Sequence, residues 1–169
     1  MAINSDHLLD QAERLAAPPS SGRPRQADLR RAISTAYYAL FHAALTAAAD
    51  YVIGAGKSVT EQYALAYRSI NHGPLRNLCH SACNNPNGYK IHFPHGLGEE
   101  LAAFAIAIVE LQEKRHRADY DPRYAVTSTE AAFAVRQARA ALASFGSAPE
   151  EQRKALLALL LFPPRKGAS

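Results

Sequence analysis

The segment RQADLRRAISTAYYALFHAALTAAA, Arg25 to Ala49, decides the fold. Its apolar positions Leu29, Ile33, Ala36, Leu40, Ala43 and Ala47 advance by four and three, the step of a helix with one buried face. Tyr37, Phe41 and Leu45 form a second stripe beside the first. A helix apolar over so much of its circumference belongs at the centre of a domain, with neighbours on most sides.

Shorter helices are expected around it. One runs from Ser5 to Ala17 and stops at Pro18-Pro19, and Ser20-Ser21-Gly22-Arg23-Pro24 links it to the central helix. A third opens at Ser58-Val59-Thr60-Glu61, which reads as a capping box. Asn71-His72-Gly73-Pro74 breaks or kinks it, and a second piece continues from Leu75 to Cys83. The stretch Asn84 to Gly96 is longer than most connections and rich in Asn, Pro and Gly, a candidate lid, partner-binding segment or disordered excursion.

The fourth helix carries Leu97, Leu101, Phe104, Ile108 and Leu111 in steps of four and three, and the next position on that line is Arg115. A guanidinium on the core-facing line is costly unless it has a partner or a task. The fifth helix opens with the capping box Thr127-Ser128-Thr129-Glu130 and ends at Gly146. The sixth starts at Ser147-Ala148-Pro149-Glu150 and ends at Pro163-Pro164. The expectation is an all-α antiparallel up-and-down bundle of five to six helices, one domain over residues 1–169 with 163–169 a flexible tail.

Composition agrees. Of 81 hydrophobic residues 34 are alanine, and Val and Ile together number only twelve, a balance that favours helices over sheets. A formal net charge of +4 tolerates an anionic partner without the dense basic stripe of a dedicated nucleic-acid binder. Cys79 and Cys83, four apart, and the start Met1-Ala2-Ile3-Asn4, which lacks signal-peptide regions, point to a reducing, cytoplasmic setting. The longest apolar runs, Leu101 to Val109 and Ala155 to Phe162, fall well short of the roughly 20 residues a membrane span needs.

Two segments carry most of the chemistry. Ser34-Thr35-Ala36-Tyr37-Tyr38-Ala39-Leu40-Phe41-His42 sets Tyr38 and His42 one turn apart, presenting a phenol and an imidazole together. Arg115-His116-Arg117-Ala118-Asp119-Tyr120 places Arg115 and Asp119 at i and i+4, the spacing of a helical ion pair, with His116 on a different face. Other groupings carry less. Cys79, His80 and Cys83 with His72 lack a second pair at zinc-ligand spacing, His92 and His95 sit alone in the long loop, and Gly54-Ala55-Gly56-Lys57-Ser58 lacks the full phosphate-loop spacing. No metal or cofactor is expected.

Together the two segments resemble the HEPN superfamily, specifically small bacterial HEPN proteins with a Ser-x-Ala-Tyr-Tyr-x-x-Phe-His signature followed by Arg-x-x-Ala-Asp-Tyr. His72-Gly73 is a further echo, and the resemblance covers about Arg25 to Phe145. It implies a helical bundle that forms a homodimer and engages RNA. In many such proteins Arg, four to six residues and His form a metal-independent endoribonuclease site, with Arg holding the scissile phosphate and His moving protons. Here Tyr120 stands where that histidine is expected, leaving His42 or His72 as the proton-transfer candidates. Tyr37, Tyr38, Asp119 and Arg117 would bind substrate or shape the site around Arg115 and Tyr120. The resemblance implies a toxin–antitoxin or antiphage defence module with a nucleotidyltransferase-type antitoxin partner. The competing class is a non-catalytic adaptor that binds nucleotide, RNA or a partner protein.

Overall fold

The computed structural model describes residues 3–164, and these form seven helices and no strand. The helices are α1 (Ser5–Ala16), α2 (Gln26–Val52), α3 (Glu61–Arg68), α4 (His72–Asn84), α5 (Glu99–Tyr120), α6 (Ser128–Ser147) and α7 (Glu150–Leu161). The protein is therefore an all-α helical bundle. Arg165 to Ser169, most of the expected tail, and Met1-Ala2 lie outside the described residues. Among those described, no helix is long and apolar enough to cross a membrane.

The central helix α2 packs against α1, α3, α5, α6 and α7. The first stripe is buried as far as Leu40 and the second as far as Leu45, but beyond Leu40 burial on the first passes to Ala44 and Ala48, while Ala43 and Ala47 are half-buried. With neighbours on several sides, burial no longer follows a single face. Alanines make the close approach possible. Ala12 and Ala16 of α1, Ala32, Ala36 and Ala39 of α2, Ala105 of α5 and Ala131, Ala134 and Ala138 of α6 are all buried.

Helix ends follow local chemistry. The Thr127 side chain accepts from the Glu130 amide while Glu130 reaches back to the Thr127 amide, the expected capping box. At α3 the cap falls two residues later than the sequence pattern indicates. Thr60, rather than Ser58, caps the helix by accepting from the Tyr63 amide. The break between α3 and α4 comes at Ser69 to Asn71, so His72-Gly73-Pro74 opens α4 instead of interrupting a helix. Pro74 sits in the first turn, where its missing N–H costs nothing. Asn84 ends α4, and Asn85 to Gly96 is a chain of tight turns, including the 3-10 turn Pro86–Tyr89, with Phe93 buried in the core. Leu97 is buried too, but from ahead of α5.

The end of α5 is tied to α2. Pro122 has no N–H, so the Ala118 carbonyl lacks its usual intrahelical donor. Arg30 of α2 supplies one, donating Nη1–H to Ala118 O at 3.2 Å and Nη2–H to the Pro122 carbonyl at 3.4 Å and more closely to that of Tyr124. One turn earlier the Gln26 amide donates to Val126 O at 2.8 Å and accepts from Val126 N at 2.9 Å. Arg30→Ala is expected to lower unfolding free energy by about 2 kcal/mol, the scale of hydrogen bonds from a charged donor to a partly buried carbonyl. Urea denaturation checks this, and an unchanged midpoint would show that the α5 terminus needs no clamp.

Candidate functional site

Every apolar member of the α5 stripe is buried, and so is Arg115, only 8% exposed. Its guanidinium lies over the rings of Tyr37 and Tyr38, with Cζ 5.5 and 5.6 Å from their centroids. Attraction to the two ring faces offsets part of the cost of removing the cation from water. Asp119, one turn on, adds a carboxylate whose Oδ2 is 3.7 Å from Arg115 Nε. That distance is too long for a hydrogen bond. Nε is shut off from solvent and has no hydrogen-bond partner among the described residues.

Beside the guanidinium, α2, α3 and α4 build a cluster of aromatic and imidazole rings. Tyr37 is fully buried, and its Oη shares a 2.8 Å hydrogen bond with Nδ1 of His72. Phe41 lies against the His72 ring at a centroid distance of 3.9 Å, and Tyr38 meets the same ring edge-on at 5.8 Å. Tyr38 also stacks with His42 at 6.2 Å, but the His42 hydrogen bond runs from Nδ1 to Tyr67 Oη of α3, at 2.6 Å. His72 comes within reach because the chain break before it makes it the first residue of α4.

Burial sets the protonation of this cluster. It pushes the Tyr37 phenol far above the usual range, only partly countered by the Arg115 charge. Burial also lowers the His72 imidazole, helped by Arg115 and then by His42. His42 is lowered by burial alone. Both imidazoles are therefore neutral at neutral pH, when a ring nitrogen can accept a proton. With Nδ1 of His72 engaged by Tyr37, Nε2 is the nitrogen left for a ligand.

The structure thus brings Arg115, Asp119, Tyr37, Tyr38, His72 and His42 into one region, and Ser34 joins them by donating its hydroxyl to Asp119 Oδ1. Tyr120 and Arg117 lie apart. Five residues carry Tyr120 about 140° round the helix from Arg115, leaving it 67% exposed with its ring 5.1 Å from that of His116. Arg117 is exposed and covers the Tyr124 ring at 4.1 Å. Sequence reasoning assigns Tyr67 and Arg30 no role, and Ser34 and Phe41 none in the site beyond membership of the Ser34 to His42 signature. Ser34 and Arg30 are four apart on α2 and both face α5, a spacing visible in the sequence once α5 is known to pack there.

Burial raises the Cys79 and Cys83 thiols, and His92 and His95 are exposed. Among the described residues no group of three His, Cys, Asp or Glu side chains converges in a way that could hold a metal ion. Ala55-Gly56-Lys57 forms a 3-10 turn and precedes no strand-to-helix junction. The chain matched no protein-family model, no curated protein and no solved structure.

The neutral imidazoles make stability depend on pH. Folding disfavours the protonated forms of His72 and His42, so the unfolded chain binds those protons more readily. Their contribution is present at neutral pH and lost as pH falls through the ordinary imidazole range near about 6.5. The urea midpoint is expected to drop between about pH 7.5 and 5.5, and His72→Gln to flatten that drop. Parallel profiles for the variant and the wild type would remove His72 from the titrating set.

Proposed function

We propose that this chain is a HEPN-type RNA-engaging protein that holds an RNA phosphate at Arg115. The observation that carries this reading is a guanidinium buried at the end of an apolar stripe with an enclosed Nε–H that has no acceptor among the described residues. Such a donor is costly to leave unmade, and a phosphate oxygen is the acceptor that guanidinium geometry suits best. The two segments that carry the family resemblance, Ser34 to His42 and Arg115 to Tyr120, also meet here. Tyr37 and Tyr38 of the first lie under Arg115 of the second, and Ser34 bonds Asp119.

In the catalytic form the protein is a metal-independent endoribonuclease of a toxin–antitoxin or antiphage defence module. Arg115 binds the scissile phosphate and stabilises the charge that develops on its oxygens. His72, neutral and in the tautomer that donates Nδ1–H to Tyr37 Oη, accepts the proton of the attacking ribose 2′-hydroxyl at Nε2. His42, bonded to Tyr67, is the second proton-transfer candidate. Tyr120 faces away from Arg115 and takes no part in proton transfer within one chain. The proposed setting is cytoplasmic, with a homodimer as the working form and a nucleotidyltransferase-type antitoxin as partner.

One observation favours a second reading, a non-catalytic adaptor that binds RNA or nucleotide without cutting it. The residue standing where a catalytic histidine is expected after Arg115 is a tyrosine, exposed and on another face. Incubation with total RNA in EDTA separates the two. Cleavage by the wild type, reduced about a hundredfold or more in Arg115→Ala, is the expected result for the nuclease. Salt-sensitive binding without cleavage, lost in Arg115→Ala, would assign the adaptor role. Equal behaviour of both proteins in cleavage and in binding would sink the Arg115 site altogether.

A further inference from the structure

We propose that Ser34 is a positioning residue, holding the Asp119 carboxylate back from Arg115 so that the guanidinium stays free for an incoming anion. This rests on the reading of Arg115 as a phosphate site and says how that site is kept open.

The starting point is an ion pair that has not closed. An arginine and an aspartate one turn apart on a helix can meet directly, and charge-assisted bonds of this type normally settle at about 2.7–2.9 Å. Arg123 Nε stays 3.8 Å from Asp121, whose Oδ1 accepts from the Arg123 amide, but where the carboxylate is not held by another donor the bond closes, with Arg25 Nε 2.7 Å from Asp28 and Arg139 Nε 2.8 Å from Glu13. In both of those pairs the arginine is exposed to solvent, where closure gains least. Arg115 and Asp119 have more to gain. The Arg115 side chain is only 10% exposed, yet Asp119 Oδ2 stops 3.7 Å from a buried Nε that has no other acceptor.

A restraint on the carboxylate accounts for the gap. Ser34 is fully buried on α2 and donates its hydroxyl to Asp119 Oδ1. Its Oγ also lies 3.2 Å from the Arg30 carbonyl, one turn back on the same helix. Arg30 in turn clamps the end of α5 through Ala118. Two residues one turn apart on α2 therefore fix both the helix that carries Asp119 and the direction in which its carboxylate points. The carboxylate stays near enough to lower the cost of burying Arg115, because Coulomb attraction falls only slowly over an extra ångström. It does not close onto the guanidinium, whose charge stays uncommitted for a phosphate oxygen.

Removing the hydroxyl should release the carboxylate onto Nε. In Ser34→Ala an anion then has to displace a closed charge-assisted pair. In Asp119→Ala there is nothing to displace. The test is a titration with inorganic phosphate followed by NMR, together with the Arg115 Nε–Hε resonance of each protein before phosphate is added. Ser34→Ala is expected to bind phosphate about tenfold more weakly than wild type and to show Hε shifted downfield by its new bond to Asp119. Asp119→Ala is expected to bind at least as tightly as wild type. The double variant Ser34→Ala/Asp119→Ala should behave like Asp119→Ala, since Ser34 acts only through the carboxylate. A role for Ser34 in packing alone would weaken binding equally in both backgrounds and overturn the proposal. So would an Arg115 Hε that stays in place in Ser34→Ala. If wild type fails to bind phosphate, the reading of Arg115 as an anion site falls, while the Hε shift still decides whether Ser34 restrains Asp119.

Discussion

The burial of one positive charge constrains much of this fold. Arg115 continues a line of large apolar side chains along α5, and carrying that line to its end takes a guanidinium out of water against α2. Leaving it uncompensated would cost several kcal/mol. The compensation comes from α2, which turns two tyrosine rings toward the cation, and from Asp119 on the same helix. This fits a buried surface of α2 that is alanine, leucine and isoleucine except for Ser34, Thr35, Tyr37 and Phe41. The buried polar and aromatic residues of α2 fall between Ser34 and Phe41, around the level of the buried charge, while buried alanines run along the rest of the helix.

That requirement also fixes how α2 and α5 sit together. Ring faces attract a cation only within a few ångströms, so the helices must keep their register at the Arg115 level. Arg30 and Gln26 secure it from the adjoining turns by bonding to backbone at the end of α5 and in the joint that follows. Pro122 makes this attachment possible, because it frees the Ala118 carbonyl that Arg30 takes.

The fold was legible because helical stepping survives in the sequence wherever one face is buried. Leu97 to Leu111 points directly at Arg115, and the box at Thr127 marks the start of α6 to the residue. The cap of α3 was less legible, since Ser58 and Thr60 are both suitable and only the preceding turn at Ala55–Lys57 selects Thr60. Within the site, the local pairings were readable and the long-range ones were not. The i, i+4 spacing shows Arg115 beside Asp119 and Tyr38 beside His42. It cannot show Tyr37 meeting His72 or His42 bonding Tyr67, because those contacts depend on where α3 and α4 fold back onto α2. Tyr120 shows the opposite failure. A motif written as a spacing makes it a neighbour of Arg115, whereas helical rotation carries it to another face.

The charge balance of the α2–α5 seam bears on what it can hold. Arg30 commits its donors to carbonyl oxygens, which leave its positive charge unneutralised. Arg115 faces one carboxylate, and that carboxylate is already bonded on its other oxygen by Ser34. The Tyr37 phenol and the His72 and His42 imidazoles add no charge, because burial holds each of them neutral. Among the described residues neither guanidinium closes an ion pair within the seam, and the neutral phenol and imidazoles beside Arg115 offer no charge to offset it.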